Sequence, residues 1–137
     1  MQITNPESHF VSVDGVKLHY HDIGSGPPLL LLHGGGPGAS GLSNYSRNIA
    51  TLAAEYRLII PDLVGYGQSD KPELHGPRFA IYAKGILGLM SAIGIERAHV
   101  VGNSLGGGTA IKMVLDAPER IGKLVLMGPA GDRKSVV

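Results

Sequence analysis

Short β-prone runs between residues 10 and 20, apolar positions interrupted by polar ones, give way to an unbroken aliphatic run. Residues 10–13 and 16–20 are β-prone stretches on either side of Asp14-Gly15, a two-residue turn that signals a hairpin. Gly24-Ser25-Gly26-Pro27-Pro28 interrupts the chain. Residues 29–32, all leucine, follow without alternation, which predicts a strand buried on both faces. Tyr45, Ile49, Leu52 and Tyr56 then recur at helical spacing. Residues 57–60 form the next predicted strand, closed by Pro61-Asp62, and a loop occupies 63–77. Ile86, Leu89, Met90 and Ile93 line one face of a second helix that ends at Gly94. Residues 100–101 predict a short buried strand. In a third helix Leu105, Ile111, Val114 and Leu115 are expected to face the core, with Pro118 just past its end, and 124–127 is a final strand. A hairpin followed by alternating strands and helices defines an α/β fold with a mainly parallel sheet and helices on both faces. No internal repeat or domain boundary is visible.

Composition narrows the chemistry. Of 137 residues, 43% are hydrophobic and 17% charged, with a formal net charge of +1, which supports an ordinary apolar core and gives no electrostatic case for nucleic acid. Cysteine is absent, which removes disulfides, thiolate metal sites and cysteine nucleophiles. The N-terminus lacks the basic start and apolar run of a signal peptide, and no aliphatic run approaches the roughly 20 residues of a membrane span. A soluble cytoplasmic protein, contacting neither membrane nor nucleic acid, is the expectation. Glycine, by contrast, occurs 21 times, about twice its usual share of roughly 7%. The glycines cluster at 34–41 and 102–108, each time after an aliphatic run. In a parallel sheet those are positions at the C-terminal ends of strands, where ligands bind.

Gly102-Asn103-Ser104-Leu105-Gly106 fits G-x-S-x-G between a predicted strand and a predicted helix, the setting of a nucleophile elbow. A serine at the tip of so tight a turn is lifted clear of the sheet, and side chains two residues either side would collide with the turn. Gly107 and Gly108 continue the run into the helix, where each costs about 1 kcal/mol against alanine, so close approach of helix to strand beneath Ser104 is expected. The helix N-terminus brings positive dipole and free N–H groups to the place where negative charge develops in acyl transfer. Any tight strand-to-helix turn is the bland alternative.

His33-Gly34-Gly35-Gly36-Pro37-Gly38 matches the H-G-G-G type of loop that supplies the other oxyanion amide in esterases and lipases. Gly35 or Gly36 would donate one N–H and Leu105 the other. His33 reads either as a base or as a brace that holds this loop by hydrogen bonds. Gly36-x-Gly38-x-x-Gly41, with Asp62 about twenty residues on, also fits a dinucleotide fingerprint. That reading suffers from Pro37, which has no N–H to offer a pyrophosphate, and leaves the elbow without purpose.

With both glycine blocks placed, the chain resembles the N-terminal half of an α/β-hydrolase, and more narrowly the meta-cleavage product hydrolases. The residues that carry this likeness are the block 33–40, Ser43-Asn44, Asn103 before the serine, and Met127-Gly128-Pro129-Ala130-Gly131. The resemblance implies an enzyme that hydrolyses a carbon–carbon bond of a small molecule, a 2-hydroxy-6-oxo-hexa-2,4-dienoate formed in aromatic or steroid ring degradation, without cofactor or metal. It implies Ser104 as nucleophile, Gly35 and Leu105 as the oxyanion hole, and Gly35, Gly36, Asn44 and Asn103 as substrate contacts. For Asn44 a helix cap or loop brace is the alternative role; Asn103, too, has a purely structural alternative. Ester hydrolysis, or a non-catalytic binding or assembly module on the same fold, are the other functional readings.

The departure from the family is in the triad, whose order is Ser, then Asp or Glu, then His. After Ser104 come Asp116, Glu119 and Asp132, the first two expected to be solvated surface, and no histidine; His9, His19, His21, His33, His75 and His99 all precede it. Residues 1–137 are therefore expected to form the N-terminal part of a single core domain, ending after about the sixth strand, inactive alone. The last strand would present an unpaired edge that invites self-association, and the complete protein is expected to be a homo-oligomer.

Overall fold

The computed structural model describes residues 5–128; Pro129-Ala130-Gly131 and Asp132 of the expectations above lie outside them. Strands β1 (His9–Val13) and β2 (Val16–Ile23) form the hairpin, and β3 (Pro28–Leu32), β4 (Arg57–Pro61), β5 (Ala98–Asn103) and β6 (Ile121–Met127) complete one sheet of order β1-β2-β4-β3-β5-β6. The first two strands pair antiparallel, β2 pairs antiparallel with β4, and β4, β3, β5 and β6 run parallel. The hairpin turn has positive φ at both central residues, 50° at Asp14 and 82° at Gly15, the backbone whose twist matches paired strands.

Successive side chains of a strand point to opposite faces, and the leucine run divides accordingly. Leu30 and Leu32 join Ile59, Val100, Ile86, Leu89 and Met90 in one core, while Leu29 and Leu31 join Leu58, Ile60, Tyr45 and Ile49 in another. Leu30, Leu31 and Leu32 are wholly buried, each contributing about 1.5–3 kcal/mol by leaving water. Helices α3 (Arg78–Ala92) and α4 (Leu105–Asp116) cover the first face. The second is covered by α1 (Gly41–Tyr45) and α2 (Ile49–Ala53).

Two sequence expectations need correction. The helix expected through Tyr45, Ile49, Leu52 and Tyr56 is broken into α1, a 3-10 turn over Ser46–Asn48, and α2, and Tyr56 lies beyond α2. In α4 the face toward the core is Gly106, Thr109, Ala110 and Met113, whereas Ile111 and Leu115 are exposed, Leu115 at 73%. Small residues set this orientation. They let the helix lie against β3 and β5; of the four aliphatic residues expected inward, Leu105 and Val114 do pack against that core, while Ile111 and Leu115 turn outward.

Candidate active site

Ser104 stands between the end of β5 and the start of α4 with φ 53° and ψ −109°. Such a conformation costs a non-glycine residue about 1–3 kcal/mol and persists only where the surroundings enforce it. They do so here from both sides. The Ser104 N–H donates to the carbonyl of Met127 (2.8 Å), and the Gly108 N–H donates to the carbonyl of Ser104 (3.1 Å). A Cβ on Gly102 would lie 2.5 Å from the carbonyl oxygen of Gly106, and one on Gly106 would run into the Leu32 carbonyl group. Both flanking glycines are thus required by backbone-on-backbone contact, as the motif predicts.

Register brings the second glycine block to the same place. Leu32 pairs with Gly102 across β3 and β5, so the residues after each strand leave the sheet side by side. A Cβ at Gly34 would stand 3.5 Å from Ser104 Cβ, and one at Gly35 would stand 3.4 Å from Leu105 Cδ2. Leu105 is the first residue of α4, so its N–H has no acceptor within the helix. Gly35 and Gly36 are exposed, and Gly36 has φ 115° with open space where a side chain would be.

Asn44 ties these loops together. Its Oδ1 accepts the Gly34 N–H (2.8 Å) and the Asn103 Nδ2–H (3.0 Å). Gly34 is therefore spent as a donor, which leaves Gly35 and Gly36. The capping role considered for Asn44 belongs instead to Ser40, which accepts from the Ser43 N–H in a reciprocal capping box. The brace role is present. Asn44 and Asn103 remain partly exposed beside Ser104.

His33 is wholly buried; its Nε2 accepts the Leu63 N–H (3.0 Å), so Nδ1 carries the proton and donates to the Gly34 carbonyl (2.7 Å). Burial holds its pKa below the usual 6.5, only partly opposed by the Gly34 carbonyl and Asp62. An imidazole whose free lone pair already accepts a backbone N–H cannot serve as a base. His33 is the loop brace.

Asp62 also turns away from ligand chemistry. Its buried carboxylate accepts the Gly41 N–H (2.8 Å), the Gln68 N–H (2.9 Å) and His19 Nδ1–H (2.8 Å). Neither the acid nor the helix amide of a dinucleotide site is free. Asp116 and Glu119 are exposed, Asp116 paired with Lys112 at 2.9 Å. Among the described residues no histidine hydrogen-bonds Ser104, and no three His, Asp or Glu side chains gather where they could hold a metal ion.

Tyr66, which the sequence suggests is core or surface, lies beside the glycine loop. Its ring packs edge-on against His33 (centroids 5.1 Å, 68°), and its hydroxyl lies 3.2 Å from the position of a Cβ on Gly35. The glycines on either side of it, Gly65 and Gly67 at φ 88° and 52°, are the one local signal of a special turn.

A strained serine between a glycine elbow and a second glycine loop, on a sheet of order β1-β2-β4-β3-β5-β6, defines a class. The profile of the alpha/beta hydrolase fold family matches residues 27–136, and the chain belongs to that family. Its relatives are more specific. It is 50% identical over 115 residues to the 2-hydroxy-6-oxo-6-phenylhexa-2,4-dienoate hydrolase of Comamonas testosteroni, covering 83% of this chain and 40% of that protein. It is 45% identical over 130 residues to the 2-hydroxy-6-oxononadienedioate/2-hydroxy-6-oxononatrienedioate hydrolase of the same species, covering 90% and 46%. The solved meta-cleavage product hydrolase from Pseudomonas fluorescens IP01 superposes with a TM-score of 0.86 at 44% identity, covering 91% of this chain and 46% of that one. The chain thus spans under half the length of these three relatives. No helix among the described residues is long and apolar enough to cross a membrane.

Proposed function

We propose that Ser104 is the nucleophile of a serine hydrolase that cleaves the carbon–carbon bond of a 2-hydroxy-6-oxo-hexa-2,4-dienoate, and that its base and the acid orienting that base come from sequence C-terminal to the described residues. The observation that carries this reading is the convergence of Ser104, Leu105 and Gly35 on one rim of the sheet. The relatives' names supply the substrate class. In this reading residues 1–137 are the N-terminal part of a single core domain.

The substrate's dienol first becomes its keto tautomer. Ser104 Oγ then attacks the distal ketone while the Leu105 and Gly35 N–H groups receive the developing oxyanion; one such donor is worth about 3 kcal/mol of barrier. Breaking the carbon–carbon bond releases a 2-hydroxypentadienoate and leaves an acyl group on Ser104, which water removes. Asn44 and Asn103 face the dienoate end, and Gly36, without a side chain, leaves room for it. The two Comamonas relatives differ in the group beyond the ketone, so the described residues bind the shared dienoate end.

Without its base the hydroxyl is a weak nucleophile, and loss of a triad member costs several powers of ten in rate. Residues 1–137 alone are therefore inactive, and the longer protein is active. Product release measured by chromatography from both forms, each with and without Ser104→Ala, tests this. Turnover by residues 1–137 that Ser104→Ala abolishes would overturn it. The outer edge of β6 is unpaired among the described residues, with Val125, Leu126 and Met127 exposed, so residues 1–137 self-associate through that edge. Light scattering should show oligomers, and a sharp monomer peak would count against it. The longer protein, in this reading, is a homo-oligomer.

A further inference from the structure

A serine–histidine–aspartate relay lies outside the site just described. His19, on β2, is buried with Asp62 behind it; in the neutral tautomer whose Nδ1 donates to Asp62 Oδ2 at 2.8 Å, its Nε2 carries the lone pair. That lone pair accepts the hydroxyl of Ser8, whose Oγ is 2.8 Å away. Ser8 is exposed, immediately before β1. The imidazole cannot swing: Phe10 packs on it at 5.0 Å between centroids and His21 stands edge-on at 4.8 Å. Asp62 is fixed in turn by the Gly41 and Gln68 amides. These are the elements of an activated nucleophile: a hydroxyl within hydrogen-bond reach of a base, and a base oriented by a third group.

The exposed side-chain amide of Gln68 also reaches His19 Nε2, at 3.4 Å, a longer contact than the 2.8 Å to Ser8 Oγ. Tyr20, next to His19 on β2, pairs with Pro61 at the C-terminal end of β4. The relay therefore sits on the same rim of the sheet as Ser104, with β4 and β3 between them.

We propose that Ser8 is a second nucleophilic serine, which accepts acyl groups from unhindered, activated esters that reach the open surface. Ser8 Oγ bonds to the acyl carbon as its proton passes to His19 Nε2. The ester C–O bond breaks and the leaving alkoxide or phenoxide takes that proton. Water, deprotonated by the same imidazole, then releases the acid. With a fluorophosphonate the O–P bond forms, the P–F bond breaks and fluoride leaves, so Ser8 stays labelled.

The test uses residues 1–137 carrying Ser104→Ala, so that it does not depend on the function proposed for Ser104. A fluorophosphonate probe is followed by peptide mapping. A positioned general base is worth about 10²–10⁴ in rate, so Ser8 should label at least about tenfold faster than the exposed Ser12, Ser43 and Ser91. Adding Ser8→Ala, a change at an exposed position, should abolish the fast label. Adding His19→Gln should reduce it to the rate of the other serines. No label on Ser8, a rate equal to that of the other serines, or a fast label retained after His19→Gln in a chain with parental circular dichroism would overturn the proposal.

Discussion

Two glycine-to-alanine changes, both inside helices, should move stability in opposite directions. At Gly106, the second residue of α4, the new Cβ would overlap the carbonyl group of Leu32 and lie 2.8 Å from the carbonyl oxygen of His33. These are backbone atoms at the end of β3, and no rotamer change relieves the contact. The helix must back away from the sheet, an overpacking that costs about 1–3 kcal/mol, against a helical gain of at most about 1 kcal/mol. At Gly85 in α3 the new Cβ meets only Leu18 Cδ1, at 3.7 Å. That is ordinary contact, so the helical gain of about 1 kcal/mol survives.

The two variants should therefore differ by about 1–3 kcal/mol, which at a urea dependence of about 1–3 kcal/mol per molar separates their midpoints by roughly 1 M. Far-UV circular dichroism at one fixed protein concentration reads this. Gly106→Ala should unfold at lower urea than the parent, and Gly85→Ala at higher. If Gly106→Ala matched or exceeded the parent, the close approach of α4 to β3 would not be what the glycine serves, and the argument for the elbow would fail with it.

Asn44→Ala removes the acceptor of the buried Gly34 N–H and of Asn103; an unsatisfied buried donor costs about 1–3 kcal/mol, and amide exchange at Gly34 should quicken by at least tenfold. His33 should make stability fall on acidification. Its folded pKa lies below 6.5, so as the pH drops through that value the unfolded chain takes a proton that the native chain refuses. The loss from this group is at most about 1.4 kcal/mol per pH unit and stops once the pH passes the folded value; urea midpoints between pH 5 and 7.5 should show a flatter profile for His33→Gln. Arg120 donates to the carbonyls of Leu87, Ile95 and Glu96 and to Ser91 Oγ, which ties the end of α3 to the turn before β6. Arg120→Leu should lower stability by about 1–2 kcal/mol, read as a shift in the same urea midpoint, and no shift would show those bonds to be interchangeable with water.

Local pattern made the sheet legible. Leu29 to Leu32, too short for a helix and bounded by Pro27-Pro28 and a glycine block, reads as a strand with both faces covered, and Asp14-Gly15 favours a tight hairpin turn. The elbow was legible for a similar reason, because Gly102 and Gly106 answer a steric demand made within five residues. The face of α4 was not. Reading bulk as burial selected Leu115, whereas the helix is seated by Gly106 and Ala110, whose value lies in the distance they permit rather than the area they hide. The place of Tyr66 beside the glycine loop was not legible because Gly35, its neighbour there, is 31 positions away in sequence.

Asp62 shows where sequence patterns mislead. Its spacing from Gly36-x-Gly38-x-x-Gly41 suggests an acid waiting for a ribose, yet the same carboxylate gathers β2 through His19, α1 through Gly41 and the following loop through Gln68. Its own carbonyl accepts the Ser69 hydroxyl, whose oxygen accepts the His19 N–H. A buried carboxylate survives only when its lone pairs are filled, and donors separated by 43, 21 and 6 positions leave no periodic trace along the chain. The glycine loop, its helix and the relay at His19 are consequently held by one buried side chain. Both of the proposed nucleophile arrangements on this rim draw on a polar hub buried beneath it, visible only once the strands are in register.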